Sequence, residues 1–539
     1  MENSTLHNPH ERLKRLIYKS IYFAAFVFFA FKVYQHYHHN YGYTVLPRFD
    51  HDFQEQSIDL LKETPHYTHE DGYDGQFYAQ LALRPSAQGI EIEQAVDNYT
   101  YRARRILFSW TAWAMGLGNP SWTLQAYSFQ NALFWFLTAI LLLRWLPPTN
   151  WQNTLRFLAC FFTLGLVNSF SRALLDGPSL FLIALGAYLV ETRRSWLGAA
   201  TLGLAGLGKE TNLLSIGALI QPGKLRSQLN SQFLLKAGLA LLPFCLWFAI
   251  VLNSSQLGRS ENIGSRNFDF PFVGAFEAFL MIIKEAGEKG FPSSSFLTLA
   301  ILGSLIVQGI YLLARPKVDR VWSRIGIAYA ILMLVLGSAV WEGLQAAPRV
   351  LLPMTVAFNI VFSRKTFLLP VLIFANTLTF VGISSFNPPL IEEHYEMVDQ
   401  SNLAYDPVTH KYSYLEFKRG WSVNEGKKSR YWRWSEGDSI AEFYVPGNQR
   451  VQAEFQFTPK TITPRNIFLE VNGELVWQAK NEQLYGDVYT IPFVLAPGNN
   501  ILRFYSPAPP ERVGNDPRNL SFALVNYKLR LIKALPETP

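Results

Sequence analysis

The chain has 539 residues, of which 49% are hydrophobic and 17% charged, and its formal net charge is +7 at pH 7. Its two cysteines, Cys160 and Cys245, both lie in apolar runs, which excludes a framework of disulfides. The basic residues stand mainly at the ends of apolar runs, so the positive charge does not indicate binding to nucleic acid. Apolar runs are concentrated in roughly the first 385 residues and are sparse in the rest of the chain.

The apolar runs approach the ~20 residues that a helix needs to cross a bilayer. The first follows Arg12, Lys14, Arg15 and Lys19, and no small-residue cleavage site comes after it, which favours an uncleaved span over a signal peptide. The pattern predicts about eleven spans, near residues 17–35, 122–144, 155–171, 177–191, 195–208, 211–222, 233–252, 295–314, 323–341, 348–362 and 366–384. The short pair within 195–222 is also compatible with a broken hairpin.

Lys and Arg concentrate in cytoplasmic loops of membrane proteins. The basic clusters at 11–15, 192–194, 223–226, 315–324 and 363–365 are therefore expected inside. This assignment predicts a multi-pass protein of the cell (inner) membrane with a cytoplasmic N-terminus, a first outer loop at about 38–121 and an extracytoplasmic C-terminal part.

One basic cluster, "YRARR" at 101–105, breaks this rule because it falls in the first outer loop. The apolar run after it has only about 13 residues, which indicates a juxtamembrane or re-entrant helix rather than a span. Two interpretations stay open for Arg102, Arg104 and Arg105. They pair with lipid headgroups or loop acids, or they hold a phosphate.

The predicted topology places several ionisable residues on the outer side at the ends of spans, where such residues are costly and usually functional. They are Asp71, Asp74, Arg172, Asp176, Lys209, Glu210, Glu342 and Arg349. Each has an ordinary structural interpretation too, since Asp-Gly is a turn signal and Asp caps helices. Their convergence on one side is the main functional signal in the sequence.

An ordered set of segments carries a resemblance: "DGYDGQFYAQLALRP", "VDNYTYRARRILFSWTAWAMGLG", "SRALLDGPSLFLIALGAYLVE", "LGKETNLL" and "WEGLQAAPRVLLPM". Together they resemble bacterial multi-spanning glycosyltransferases of the GT-C superfamily, over residues 1–385. The resemblance implies a hexosyl- or pentosyltransferase with a catalytic carboxylate in the first outer loop. It also implies a sugar donor on a polyprenyl phosphate, inversion at the sugar, and a glycan, lipid or protein acceptor.

Inverting transfer needs a carboxylate to take the acceptor proton and cations to hold the departing phosphate. We predict Asp74 as the base, with Asp71 as its rival, and Arg349 as the phosphate ligand, with Arg102, Arg104 and Arg105 as alternatives. Arg172, Asp176, Lys209, Glu210 and Glu342 complete the predicted substrate site. No cofactor is required by this prediction, although His66, His69, Glu70 and the two aspartates leave Mg²⁺ or Mn²⁺ as an alternative to a solvated loop.

Residues 386–411 are interpreted as a linker. After them the sequence consists of short strand-like segments separated by turns rich in Gly, Pro and Asn. The segment 412–539 is predicted to be an all-β sandwich, and it resembles jelly-roll domains similar to carbohydrate-binding modules. "VNGEL" predicts a tight hairpin. Trp421, Tyr431, Trp432 and Trp434 either stack on sugar rings or pack in the core.

Two other functions remain compatible with a polytopic chain. A transporter or flippase would tend to show internal repeats and charges near the membrane midplane, and the sequence shows neither. A non-catalytic scaffold for surface polysaccharide assembly would not require carboxylates gathered on one side.

Overall fold

The computed structural model describes residues 9–38, 41–50, 53, 56–69, 72–220, 231–257, 265–288, 292–388, 395–397, 405–406, 411–412, 415–422, 425–427, 430–445, 448–512, 516 and 518–535. The chain divides into two compact units. The first contains residues 1–62 and 66–389, and the second contains residues 390–539 with the short segment 63–65.

The first unit is helical. Its helices are α1 (Pro9–Gln35), α2 (Asp59–Lys62), α3 (Gly75–Leu83), α4 (Ile90–Gln94), α5 (Tyr99–Ala103), α6 (Leu107–Met115), α7 (Pro120–Leu142), α8 (Trp151–Phe161), α9 (Leu164–Phe170), α10 (Asp176–Glu191), α11 (Ser195–Gly208), α12 (Ser231–Ser254), α13 (Val273–Glu288), α14 (Ser293–Ala314), α15 (Val321–Leu334), α16 (Ser338–Trp341), α17 (Ala347–Val350), α18 (Leu352–Val361), α19 (Leu369–Ala375) and α20 (Thr377–Ser385). A 3₁₀ segment, Glu210–Leu219, follows α11, and a two-residue pair joins β1 (Phe49–Asp50) to β2 (Thr68–His69).

Three described helices are long and apolar enough to cross a membrane, namely Arg12–Gln35, Ser231–Ser254 and Ser294–Ala314. The pair Thr366–Ala375 and Thr377–Ser385, bent by 40°, makes four if it counts as one span. The predicted count of about eleven is therefore not confirmed. Several predicted spans are broken instead: 155–171 divides into α8 and α9, and 323–341 divides into α15 and α16. Helix formation was predicted correctly at these places, but helix length was not.

The start of α3 lies unusually close to the chain that enters α10. A Cβ added at Gly75 would stand 2.3 Å from the carbonyl oxygen of Arg172 and 2.8 Å from that of Pro47. Only glycine leaves room for such an approach of two backbones. The second Asp-Gly of the first loop therefore does more than form a turn, since it places Asp74 beside the Arg172 segment.

The second unit is a β sandwich. Its strands are β3 (Tyr395–Met397), β4 (Tyr405–Asp406), β5 (Lys411–Tyr412), β6 (Leu415–Phe417), β7 (Glu425–Lys427), β8 (Arg430–Ser435), β9 (Asp438–Val445), β10 (Val451–Thr461), β11 (Arg465–Val471), β12 (Glu474–Asn481), β13 (Tyr489–Leu495), β14 (Gly498–Tyr505) and β15 (Phe522–Ala534). One sheet has the order β13-β10-β15-β8-β7, with β3 also paired to β15, and the other has the order β12-β11-β14-β9-β6.

The two sheets share one apolar core because alternate residues of each strand face inward. In β10 every second residue from Val451 to Thr461 is buried. Phe455 of the first sheet packs 5.4 Å from Phe504 of the second, measured between ring centroids. The predicted hairpin is present between β11 and β12, with Asn472 and Gly473 both at positive φ, as the tight turn requires.

The aromatic residues proposed to bind sugar are engaged within this unit. Trp421 and Tyr431 pack against the sandwich core, and Trp434 is 6% exposed. The Lys460 ammonium lies 4.5 Å from the ring centroid of Trp432 and 5.0 Å from that of Trp434. These contacts correspond to the packing alternative. The predicted domain boundaries, with a linker at 386–411, stay predictions, and much of that segment lies outside the described residues.

Candidate functional site

The short helix α5 presents an arginine that joins two carboxylates of the first loop. Arg102 donates from Nε and Nη2 to the two carboxylate oxygens of Asp97, at 2.7 and 2.6 Å. Its Nη2 also donates to Asp74 Oδ1 at 2.8 Å. Asn98 caps α5 by accepting a hydrogen bond from the Tyr101 amide. The helix cap and the bidentate ion pair with Asp97 hold the Arg102 side chain next to Asp74, at the start of α3.

Tyr78 of α3 connects this arginine to a second one. The Tyr78 hydroxyl accepts from Arg102 Nη1 at 3.3 Å and from Arg105 Nη1 at 3.1 Å. Arg105 in turn donates to both oxygens of Glu210, at 2.8 and 2.6 Å, and Arg104 donates to Glu210 Oε1 at 2.8 Å. The ring of Tyr101 lies under the Arg105 guanidinium, 4.0 Å from its centre.

Lys209 and Glu210 link two parts of the site, one around Arg102 and Arg105 and the other around Asp176. They can do so because the chain is extended where α11 ends. Lys209 has φ −165° and ψ 130°, so neighbouring side chains diverge. Glu210 contacts the arginines, whereas Lys209 Nζ donates to Asp176 Oδ1 at 2.6 Å. Arg349 Nη1 donates to Asp176 Oδ2 at 3.3 Å.

Tyr73 connects Arg349, and so the part of the site around Asp176, to the first loop. Its hydroxyl accepts from Arg349 Nη2 at 3.2 Å, and its ring lies 5.0 Å from the Arg172 guanidinium. We call the residues joined by these ion pairs the charged cluster: Asp74, Asp97, Arg102, Arg104, Arg105, Asp176, Lys209, Glu210 and Arg349. Five cations thus face four carboxylates.

The four carboxylates differ in how many of their oxygens are left to bind a ligand. Asp97, Asp176 and Glu210 each use both oxygens in hydrogen bonds to cations. Asp74 uses only Oδ1, and among the described residues Oδ2 accepts no hydrogen bond. The Asp74 side chain is also the most exposed of the four, at 41%, against 7% for Asp176. Asp74 is therefore the cluster's accessible carboxylate.

The electrostatic surroundings keep Asp74 ionised. Burial by itself would raise its pKa, but the charge and hydrogen bond of Arg102, with the charges of Arg349 and Arg105, hold the pKa below its ordinary value. The same opposition acts on Glu210, where burial raises the pKa and Arg105 and Arg104 lower it further than burial raises it. Both groups are carboxylates at neutral pH.

A cavity of about 380 Å³ adjoins the charged cluster. Arg48 and Arg172 supply cationic groups to its lining, and Gln345, whose carbonyl accepts from Arg349 Nε at 3.1 Å, connects it to the cluster. The rest of the lining is Leu164, Asn168, Ser171, Thr298, Ile301, Gly343, Val381, Ser385 and Asn387. The cavity thus combines cationic, polar and apolar groups.

The structure brings together most of the predicted site residues. Asp74, Arg102, Arg104, Arg105, Asp176, Lys209, Glu210 and Arg349 belong to the charged cluster, and Arg172 contacts it through Tyr73. Glu342 stands apart, because its side chain is 60% exposed and pairs only loosely, at 3.8 Å, with Arg266. Asp71 and Glu70 lie outside the described residues. The catalytic and binding roles of all these residues stay predictions.

The alternative of a divalent cation stays a prediction, because Glu70 and Asp71, two of its five candidate ligands, lie outside the described residues. No group of three or more His, Cys, Asp or Glu side chains among them is arranged to hold a metal. His69 instead contacts the Val45 carbonyl through Nε2 at 2.8 Å, and His66 packs 4.6 Å from the Phe49 ring.

Sequence reasoning missed Asp97 and the three tyrosines Tyr73, Tyr78 and Tyr101. Asp97 had a local signal, because "DN" directly precedes the helix that carries Arg102. The tyrosines had none, since nothing in a single sequence distinguishes a tyrosine that bonds an arginine from one that fills the core.

No protein-family model matches the chain, and no curated protein sequence matches it. A mycobacterial arabinosyltransferase, EmbB from Mycobacterium smegmatis, aligns over 85% of this chain and 62% of its own, with 11% identity and a TM-score of 0.27. A family 35 carbohydrate-binding module from Clostridium thermocellum covers 21% of this chain and 89% of its own, with 18% identity and a TM-score of 0.14.

An exo-beta-1,3-galactanase from Phanerochaete chrysosporium covers 22% of this chain and 31% of its own, with 19% identity and a TM-score of 0.14. Similarities at these scores establish neither a shared fold nor a shared activity.

Proposed function

We propose that the chain is an inverting membrane glycosyltransferase that moves a sugar from a polyprenyl-phosphate carrier to a hydroxyl of a surface glycan, lipid or protein. The observation that carries the proposal is the state of Asp74. It is an ionised, accessible carboxylate with one unused oxygen among the described residues, set in a cluster of arginines beside a cavity that is part cationic and part apolar.

The proposed reaction is a single displacement. The acceptor oxygen forms a bond to the anomeric carbon while the bond from that carbon to the phosphate oxygen breaks. Asp74 Oδ2 takes the acceptor proton, and the polyprenyl phosphate leaves with the bonding electrons. General-base catalysis requires the base within hydrogen-bond reach of the proton, and the exposed side of Asp74 allows such an approach.

The phosphate gains negative charge as it leaves, so fixed cations nearby lower the barrier. Arg172 and Arg48 line the cavity itself, and we assign them the first contacts with the phosphate. Arg349, our choice from the sequence, is held behind them by Asp176, Tyr73 and the Gln345 carbonyl. Arg349 then acts chiefly by adding positive potential.

The decisive experiment measures sugar transfer from polyprenyl-phosphate donors by the full-length protein in nanodiscs. Asp74→Asn keeps the size of the side chain and removes its basicity, so turnover should fall on the order of 10²–10⁴-fold. Asp59→Asn is the matched control, because the Asp59 side chain is 79% exposed in the same loop and, among the described residues, forms an ion pair only with Lys62. Arg172→Gln should raise KM for the donor.

Asp71→Asn completes the series, and Asp71 replaces Asp74 as the base if its variant loses more activity. Full activity of both aspartate variants would refute a catalytic role for this loop. Donor movement across the bilayer without sugar transfer would instead support a flippase.

A further inference from the structure

A second cavity, of about 840 Å³, lies at the other end of the helical unit. Helix α10 relates the two places: Asp176 at its first residue belongs to the charged cluster, and Glu191 at its last residue lines the second cavity. A helix of 16 residues spans about 24 Å. The second cavity is therefore distinct from the proposed active site.

Five cations line this cavity: Arg144, Arg156, Lys317, Arg320 and Arg364. Glu191 and Asp319 are the carboxylates in the lining. Within the described part of the chain, none of the five cations forms an ion pair with a carboxylate. This differs from the charged cluster, where every arginine has a carboxylate partner. We call this cavity the basic cavity.

The interior of the basic cavity contains buried donors that lack acceptors. Arg156 is 2% exposed, its Nη2 donates to the Ser363 carbonyl at 3.1 Å, and its Nε has no hydrogen-bond partner among the described residues. Trp322 is 1% exposed, and its Nε1 likewise has no partner there. Buried donors without acceptors are rare because each costs free energy. Both residues line the cavity, so an acceptor bound there would supply the hydrogen bonds that these donors lack.

The backbone adds positive potential. Helix α15 begins at Val321, and Arg320 precedes it without a side-chain cap. The amides of Val321 and Trp322, two residues that line the cavity, donate no hydrogen bond among the described residues. Tetrahedral oxyanions such as phosphate are the ligands that helix N-termini and arginines bind together.

We propose that the basic cavity binds a phosphate-bearing anion, through Arg156 and Trp322 in its interior and Arg144, Lys317, Arg320 and Arg364 at its rim. An anionic phospholipid headgroup and a soluble phosphate compound share this chemistry. Segments 315–324 and 363–365 are predicted to be cytoplasmic, so the site faces that side. The proposal is independent of the glycosyltransferase reaction.

The test uses the full-length protein in detergent after extensive lipid removal. Native mass spectrometry and thermal unfolding measure binding of short-chain phosphatidylglycerol, short-chain phosphatidylcholine and inorganic pyrophosphate. Arg156→Gln and Arg320→Gln should each weaken binding of the anion about tenfold, the effect of one charge-assisted hydrogen bond. Arg320 is exposed and its side chain donates no hydrogen bond among the described residues, so its variant should fold even if Arg156→Gln does not.

Lys365→Gln is the matched control, because it removes one positive charge next to Arg364 from a side chain that does not line the cavity. A response to phosphatidylglycerol alone, lost in both arginine variants, supports the proposal with a lipid headgroup as ligand. A response to pyrophosphate, lost in both variants, supports it with a soluble ligand. No response to either anion overturns the proposal. It also fails if binding survives both arginine variants, falls equally in Lys365→Gln, or is lost only in Arg172→Gln.

Discussion

At the scale of single residues, Glu210 is the carboxylate that holds two neighbouring arginines. It accepts three hydrogen bonds from Arg104 and Arg105. Its pKa in the folded protein lies well below the ordinary value of 4.5, because these cations outweigh the opposing effect of burial. The unfolded chain therefore binds this proton first as the pH falls. The stabilisation is complete above pH 4.5 and is lost as the pH falls toward the folded-state pKa.

This linkage predicts how Glu210→Gln behaves. At pH 7 the variant should unfold at a lower temperature than the wild type, because two arginines lose their counter-charge. The difference should narrow as the pH falls from 4.5 toward 3. Thermal unfolding in detergent across this pH range measures it. Glu91→Gln, which breaks the exposed Arg84–Glu91 pair, should have little effect at any pH. A difference for Glu210→Gln that is constant with pH would contradict the linkage.

At the scale of elements, the position of α3 is fixed by the lack of a side chain at Gly75. A Cβ there would clash with two backbone carbonyls, which cannot rotate away as a side chain can. Gly75→Ala should therefore displace the start of α3 and with it Asp74. We expect a loss of about 1–3 kcal/mol in the free energy of unfolding, typical of overpacking, and a fall in sugar transfer.

Gly238→Ala is the control for this prediction. Gly238 lies within α12, and a Cβ there would meet no described atom within 4 Å apart from its own turn of the helix. Alanine is favoured over glycine in helices, so this variant should be neutral or slightly stabilising. Equal stabilities of Gly75→Ala and Gly238→Ala would show that the close approach at α3 has no energetic consequence.

At the scale of the whole molecule, the second unit has a core of its own, with both sheets contributing to it. A fragment of residues 390–539 should therefore fold alone as a soluble, mostly β domain. A shorter fragment, 412–539, lacks β3, which pairs with β15 through Leu529–Leu531, and should unfold at a lower temperature. Circular dichroism with thermal melts compares the two. Aggregation or disorder of the longer fragment would refute its independence.

The predicted topology is tested on the full chain. Single cysteines replacing Asp319 and Arg450, both exposed, serve as labelling sites in a variant without Cys160 and Cys245. A membrane-impermeant maleimide added to intact cells should label position 450 and not position 319. Labelling of both positions, or of neither before the cells are broken, would show that the two lie on the same side.

The sequence by itself determined the features that depend on neighbouring residues. Hydropathy indicated where helices form in the first unit, alternation indicated the strands of the second, and Asn472-Gly473 indicated its hairpin. The residues of the charged cluster were mostly found this way as well, since an ionisable group beside an apolar run is conspicuous in any sequence. Asp74 and the arginines of "YRARR" were therefore candidates before any contact was known.

Only the tertiary structure decided which charges meet. Arg105 and Glu210 are 105 residues apart in the chain, and Asp176 and Arg349 are 173 apart, so no local pattern could pair them. The same holds for the separation of Glu342 from the cluster, the approach of Gly75 to Arg172 and the breaks that shorten the predicted spans. The physical reason is that hydropathy and turn preferences act between neighbours. Ion pairs, cavities and backbone clashes depend on distances that the complete fold sets.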